Sequence, residues 1–111
     1  MKICITAQGA DLEAKVEERF GRAPYFIIAD SETGSFEAIA NPFINGSGGV
    51  GPKAAQLIID RQAGVLISGL LGGNAKYVLD SAGITQYVYR GDGTVSAALD
   101  AFKKNALDQV N

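Results

Sequence analysis

The sequence predicts an α/β domain: a mixed five-stranded sheet flanked by helices, in the order β-β-β-α-β-α-β-α, with the second strand antiparallel. Three observations carry this. Short apolar or β-branched runs recur with turn residues between them, at Lys2 to Thr6, Tyr25 to Asp30, Phe36 to Ala40, Val65 to Ser68 and Thr85 to Tyr89. From Pro52 onward these runs alternate with segments of helical periodicity, which is the mark of crossover units. With 111 residues, 47% of them hydrophobic, the chain can bury a core without metal or disulfide staples, so residues 1–111 are read as a single domain.

Taken in order, Lys2 to Thr6 alternates and is β-branched-rich, giving a first strand that ends near Ala7. Ala7 to Pro24 is a long polar connection in which Leu12, Val16 and Phe20 recur every four residues, the spacing of one or two turns of irregular helix. Tyr25 to Asp30 is the second strand, Ser31 to Ser35 a turn, and Phe36 to Ala40 the third strand, closing a hairpin. A first helix over Pro52 to Ala63 starts on Pro52, whose missing N–H costs nothing in the first turn, and stops at Gly64. Val65 to Ser68 is a continuous apolar run suited to a buried central strand. A second helix covers Asn74 to Ala82, with Asn74 as N-cap and Gly83 as terminator. After the fifth strand, Thr94 caps a third helix with Val95, Ala98, Leu99 and Phe102 on its apolar face, and the last residues read as its fraying end.

Composition removes whole classes of chemistry. The chain has no histidine and a single cysteine, Cys4, so zinc fingers, Ser-His or Cys-His catalysis and an internal disulfide framework are excluded within one subunit. A net charge of -2 with scattered basic residues argues against nucleic acid as a partner. No apolar run is long enough to span a bilayer and the N-terminus is too short and β-like for a secretory signal, so no membrane association and a cytoplasmic location are expected. Cys4, in the run I-C-I, reads as a small buried apolar residue, and Asp11, Glu13, Glu17 and Glu18 as a solvated acidic face.

The chain is organised around Asn45 to Ala55, N-G-S-G-G-V-G-P-K-A-A. Gly46, Gly48, Gly49 and Gly51 let a ligand approach the backbone, and the stretch runs directly into a helix N-terminus, where unpaired N–H groups make a generic anion seat. Gly46, Gly48 and Gly51 match G-x-G-x-x-G, but the acidic residue that a dinucleotide site needs further on is missing. The stretch also nearly matches a nucleotide phosphate loop, but Pro52 separates Gly51 from Lys53 and no hydroxyl residue follows the lysine. It is either a plain connection or a site for an anion. Gly69 to Asn74, with Gly69, Gly72 and Gly73, is either a close helix–strand packing turn or a second set of backbone donors. Strand order places Ala7 to Pro24, Asn41 to Gly51 and Gly69 to Gly73 at one edge of the sheet, where open α/β sheets bind ligands.

Arg19 to Phe26, R-F-G-R-A-P-Y-F, together with the glycine stretch, I-S-G-L-L-G-G-N-A at Ile67 to Ala75, A-G-I-T-Q-Y-V-Y at Ala82 to Tyr89 and T-V-S-A-A-L-D-A-F near the C-terminus, resembles the dinitrogenase iron-molybdenum cofactor biosynthesis family. The resemblance runs over nearly the whole chain. It implies a ribonuclease-H-like motif without nuclease activity, and a non-enzymatic protein that binds and carries an iron-sulfur or iron-molybdenum cluster. Cofactor-carrying relatives often place a histidine just before F-G-R, where this chain has Arg19. Arg19 and Arg22 are therefore read either as holding an anion by charge-assisted hydrogen bonds or as surface arginines paired with Glu17, Glu18 or Asp11.

The reading that follows is a carrier whose cleft is built from Arg19, Phe20, Gly21, Arg22, Gly46, Gly48, Gly49, Gly51, Gly69, Gly72, Gly73 and Asn74, with Phe20 also anchoring its loop to the core. Its expected partners are metallocluster donor and recipient proteins, and the chain itself is expected to be a monomer or weak homodimer. Two alternatives stand beside it: a phosphometabolite- or nucleotide-binding enzyme using the same glycine loops, and a regulatory interaction module whose cleft is vestigial and whose sheet edge or helices contact a partner. Replacing Arg19 and Arg22 together by alanine is expected to weaken cargo binding at nearly unchanged stability.

Overall fold

A computed structural model describes residues 1–46 and 49–111. The elements are β1 (Lys2–Ala7), β2 (Tyr25–Asp30), β3 (Phe36–Ala40), α1 (Val50–Asp60), β4 (Val65–Ser68), α2 (Gly73–Ser81), β5 (Thr85–Val88), α3 (Val95–Lys103) and β6 (Asp108–Gln109). They form one mixed sheet in the order β3-β2-β1-β4-β5-β6. β1, β4 and β5 run parallel, β2 is antiparallel to both its neighbours, and β6 is antiparallel to β5.

The sheet therefore has six strands where the sequence predicts five. The expected fraying helix end is instead a reversal. Asn105 takes the left-handed conformation, φ 56°, and the N–H groups of Asn105 and Ala106 bond back to Phe102 and Ala101. Asparagine is one of the few side chains tolerated there, so the helix stops and the chain returns alongside β5. Val110 N–H then donates to Gln86 O at 2.9 Å.

Both faces of the sheet are covered. On one, Cys4, Phe26, Ile28 and Leu66 pack under α1 and α2 through Ala54, Ala55, Ile58, Ala75 and Leu79. On the other, Ile3, Ile5, Ile27, Val65 and Ile67 meet Val95 and Ala98 of α3. This two-sided burial is why β4 is a continuous apolar run, as a central parallel strand should be.

The Ala7 to Pro24 connection contains no helix. It folds back on the end of β1, with Gln8 N–H bonded to Lys15 O at 2.8 Å, Glu17 N–H to Thr6 O at 2.9 Å, and the Thr6 hydroxyl donating to Glu17 O at 2.7 Å. The four-residue spacing misled because its members serve different layers: Leu12 and Val16 pack on the α3 side, Phe20 on the α1–α2 side. A single helical stripe cannot reach both.

Helix ends also differ from expectation. α1 begins at Val50, leaving Pro52 in its first turn, where a missing N–H still costs nothing. It ends at Asp60 because Gln62, φ 65°, takes the left-handed position expected of Gly64, with Gln62 and Ala63 N–H bonded to Ile59 and Ile58. The N-cap of α2 is Gly72, not Asn74. Thr94 does cap α3, accepting from Ala97 N–H at 3.1 Å, and Gly83, φ 76°, does terminate α2. Among the described residues, no helix is long and apolar enough to cross a membrane.

Candidate functional site

The connections after β1, β3 and β4 meet at one end of the sheet, as the topology predicts. Arg19 and Leu70 form an isolated parallel bridge, with Phe20 N–H donating to Leu70 O at 3.2 Å. This approach requires glycine beside it: a Cβ on Gly69 would stand 2.6 Å from Glu18 O. Gly21 lies against the start of α1, where a Cβ would meet Gly51 N at 3.2 Å, and Gly51 in turn lies against α2, where a Cβ on it would meet the Ala75 Cβ at 3.2 Å. A Cβ at any of these positions would crowd its neighbour, so this run of small residues lets the N-termini of α1 and α2 approach beside the F-G-R loop.

Between them lies a cleft of about 320 Å³. Of the predicted residues, Arg19, Phe20, Gly21, Arg22, Gly51, Gly72, Gly73 and Asn74 line it, joined by Val50, Pro52, Leu70 and Ala75. Gly46, Gly49 and Gly69 are not in its lining and act behind it, as loop, N-cap of α1 and packing glycine. Gly48 lies outside the described residues. Phe20 is 2% exposed and packs against Phe26, ring centres 5.6 Å apart and planes tilted by 47°, so it is the floor of the cleft as much as part of the core.

The electrostatics of this cleft are one-sided. Neither α1 nor α2 has a side-chain N-cap, and neither carries an acidic residue in its first turn. The first intrahelical bonds are Lys53 N–H to Gly49 O and Lys76 N–H to Gly72 O, so the amides ahead of them have no acceptor within the helix. Two partial positive charges therefore face one space, and among the described residues no carboxylate lines it.

The two arginines have different jobs. Arg19 stands exposed at the mouth, steadied by Glu17, whose carboxylate accepts from Arg19 N–H at 2.9 Å and lies 3.6 Å from Nε. Arg22 is committed to its own chain: Nη1 donates to Ile44 O at 2.8 Å and Gly46 O at 2.9 Å. Lys53, the lysine of the near-match to a phosphate loop, is not in the cleft lining; it sits 6.0 Å from the Phe43 ring centre.

A larger cavity, about 720 Å³, opens on the far side of Arg19 and Leu70. Gln8, Glu17, Glu18, Tyr89, Arg90 and Asp92 line it, and the sequence reading assigned none of them to a site. The signal was available: the turn after β5 leaves from the same end of the sheet as the three glycine connections. Its charge is mixed, with carboxylates from Glu17, Glu18 and Asp92, and Arg90 is taken by Asp108 at 2.6 Å. For an anion the smaller cleft is the better seat.

Direct metal ligation has little to use. Cys4 is fully buried, and burial pushes its thiol up, away from the thiolate a metal needs. Among the described residues, no group of three cysteine, aspartate or glutamate side chains could hold a metal ion. What the cleft offers is hydrogen-bond donors.

Residues 1–105 match the family model described as dinitrogenase iron-molybdenum cofactor. No curated protein matches the chain. Among solved structures, the apo form of the orange protein from Desulfovibrio gigas superposes with a TM-score of 0.94 at 34% identity, over 98% of this chain and 92% of that one. A candidate NifB protein from Thermotoga, of the DUF35 family, gives a TM-score of 0.86 at 38% identity, over 97% and 91% of the two chains. A Methanocaldococcus jannaschii protein described as a candidate dinitrogenase shares the fold, with a TM-score of 0.69 at 19% identity over 100% and 95%.

Proposed function

Because the chain belongs to the dinitrogenase iron-molybdenum cofactor family, we propose that it is a non-catalytic carrier of an anionic iron-sulfur or iron-molybdenum cluster, held in the cleft between the α1 and α2 N-termini. The observation that carries this reading is the convergence of two helix N-termini, without side-chain caps or first-turn acids, on a space that no carboxylate among the described residues lines. An anionic cluster would accept hydrogen bonds from the backbone N–H groups of Gly73, Asn74, Ala75 and Gly51, and Arg19 would close over it. Binding would be outer-sphere, with the metals keeping the ligands they arrive with. That suits a carrier: cargo held by hydrogen bonds leaves without breaking a metal–protein bond.

A transfer role for Arg19 is supported by its exposure at the mouth, where Nε lies 3.6 Å from the Glu17 carboxylate. The same donors would hold a phosphate, so the test needs both arms. Apoprotein is titrated anaerobically with isolated iron-sulfur precursor cluster, with iron-molybdenum cofactor and with inorganic phosphate, then passed through gel filtration with metal analysis. Stoichiometric metal coeluting with the protein, and lost in Arg19→Ala, is the expected result. Metal that never coelutes while phosphate binds would replace the cluster by a phosphorylated ligand. In the proposed setting the protein works in the cytoplasm, between a cluster donor and a recipient.

A further inference from the structure

β3 is the outer strand of the sheet and, among the described residues, pairs only with β2. The bonds flanking that pairing fix its phase: Asp30 N–H donates to Ser35 O at 2.9 Å, and Asn41 N–H to Pro24 O at 3.0 Å. Bonded and non-bonded positions alternate in an antiparallel ladder, so Glu37 and Ile39 turn their backbone groups to β2, and Phe36, Ala38 and Ala40 turn theirs outward. Among the described residues no turn or loop group caps those outward amides. The devices that normally protect an edge are missing too, since F-E-A-I-A has no proline, lysine or bulge. Its one charge, Glu37, is already neutralised by Arg61 of the same chain at 2.8 Å.

We infer that β3 pairs with β3 of a second copy of this chain, antiparallel about a twofold axis at Ala38, joining two sheets into one. This inference does not depend on what the cleft binds. Three features select a copy of the same strand and one register. With Ala38 opposite Ala38 of the second copy and Phe36 opposite its Ala40, every outward N–H on either strand finds a carbonyl. On the α3 side of the sheet, the ring of Phe36, 42% exposed, then covers the small Ala40. On the α1 side, Glu37 faces Ile39. Sliding the pairing by two residues one way sets Glu37 against Glu37, and sliding it the other way leaves Phe36 without a partner. The contact is short, so the association is weak and concentration-dependent.

The test is sedimentation velocity over a range of protein concentration, with residue-resolved hydrogen exchange at both ends of the range. The expected result is a reversible dimer in which the Phe36, Ala38 and Ala40 amides exchange at least tenfold more slowly at high concentration, whereas Glu37 and Ile39 are protected throughout. Ala38→Lys places two ammonium groups near the axis and raises the dimer Kd at least tenfold without lowering the melting temperature of the monomer. A chain still monomeric at millimolar concentration overturns the inference, as does a dimer indifferent to Ala38→Lys. Should that variant not fold, the wild-type exchange pattern decides alone: uniform or absent protection along β3 refutes the pairing. Protection that appears only when an extended peptide of another sequence is added, with the chain itself monomeric, also refutes it.

Discussion

Arg22 donates from Nη1 to the carbonyl of Gly46 at 2.9 Å, and from the same nitrogen to Ile44 at 2.8 Å, tying the F-G-R loop to the connection that leads into α1. A second tie runs beside it, from Asn41 Nδ2 to the carbonyls of Gly21 and Ala23. The glycine connection is thus held from within the site. Arg22→Ala removes the charge-assisted donor from two carbonyls and is expected to cost about 2 kcal/mol of stability. Arg19→Ala, on an exposed side chain, should change stability by less than about 1 kcal/mol. Chemical denaturation of the two single variants separates these roles, which the double replacement considered from sequence would merge. Equal, negligible losses would remove Arg22 from the scaffold.

Gly69→Ala tests the bridge that separates the two cavities. Its Cβ would meet Glu18 O at 2.6 Å and Glu18 Cα at 2.7 Å, both backbone atoms that cannot turn aside. The Arg19–Leu70 pairing must then open, with an expected cost of about 1–3 kcal/mol and faster exchange of the Phe20 and Leu70 amides. Denaturation and hydrogen exchange check both parts, and an alanine variant as stable as the parent would show the contact to be loose.

What the sequence made legible follows from the range of each interaction. β2, β3 and β4 fall on the predicted residues because their signal is local: an apolar or alternating run between turn residues. The meeting of three connections at one sheet edge was legible too, because topology alone dictates it. The job of Arg22 was not, because its partners are carbonyls more than twenty residues away, and no side-chain pattern marks a carbonyl as an acceptor. Nor was β6, since Asp108–Gln109 has no strand composition and is held by its neighbours instead. The N-cap of α2 was misplaced for a related reason. Asn74 has the better capping side chain, but Gly72 has the extended backbone, φ -71° and ψ 156°, that ends the preceding turn.

The C-terminal return also sets a pH response. Asp80 on α2 accepts from Asn111 Nδ2 at 3.1 Å and from Gln86 Nε2 at 2.8 Å, with Lys76 Nζ 3.3 Å away. The Asn111 amide first, then Gln86 and Lys76, hold its carboxyl below the usual range. A depressed carboxyl binds its proton more weakly folded than unfolded. Its stabilising effect is therefore complete above the unfolded value near pH 3.9 and is lost as pH falls through the lower folded value. Thermal melts should show a loss of stability below about pH 4, shallower in Asp80→Asn. Asp30, also held low by the Glu32 amide, supplies part of the remaining slope. An identical acid profile for Asp80→Asn would show that this carboxyl contributes nothing to stability in acid.

Gly72→Asp separates the cleft's stability from its affinity for anions. The backbone at Gly72 is already that of an N-cap, and a Cβ there meets no atom within 4 Å, so an aspartate fits without strain. Its carboxylate would accept from the amide of Asn74 or Ala75 and complement the α2 dipole, raising stability by a few tenths of a kcal/mol over glycine. The same carboxylate would occupy the amides proposed to hold the cargo and put a negative charge beside them. The expected outcome is a protein that melts at or above the parent temperature yet retains no cluster, or binds it at least tenfold more weakly, in the anaerobic titration. Loss of binding in a less stable protein would be uninformative for most variants, but this substitution stabilises the helix it blocks. Undiminished binding in Gly72→Asp would move the anion seat away from the α2 N-terminus, and the larger cavity beside Tyr89 would become the place to look.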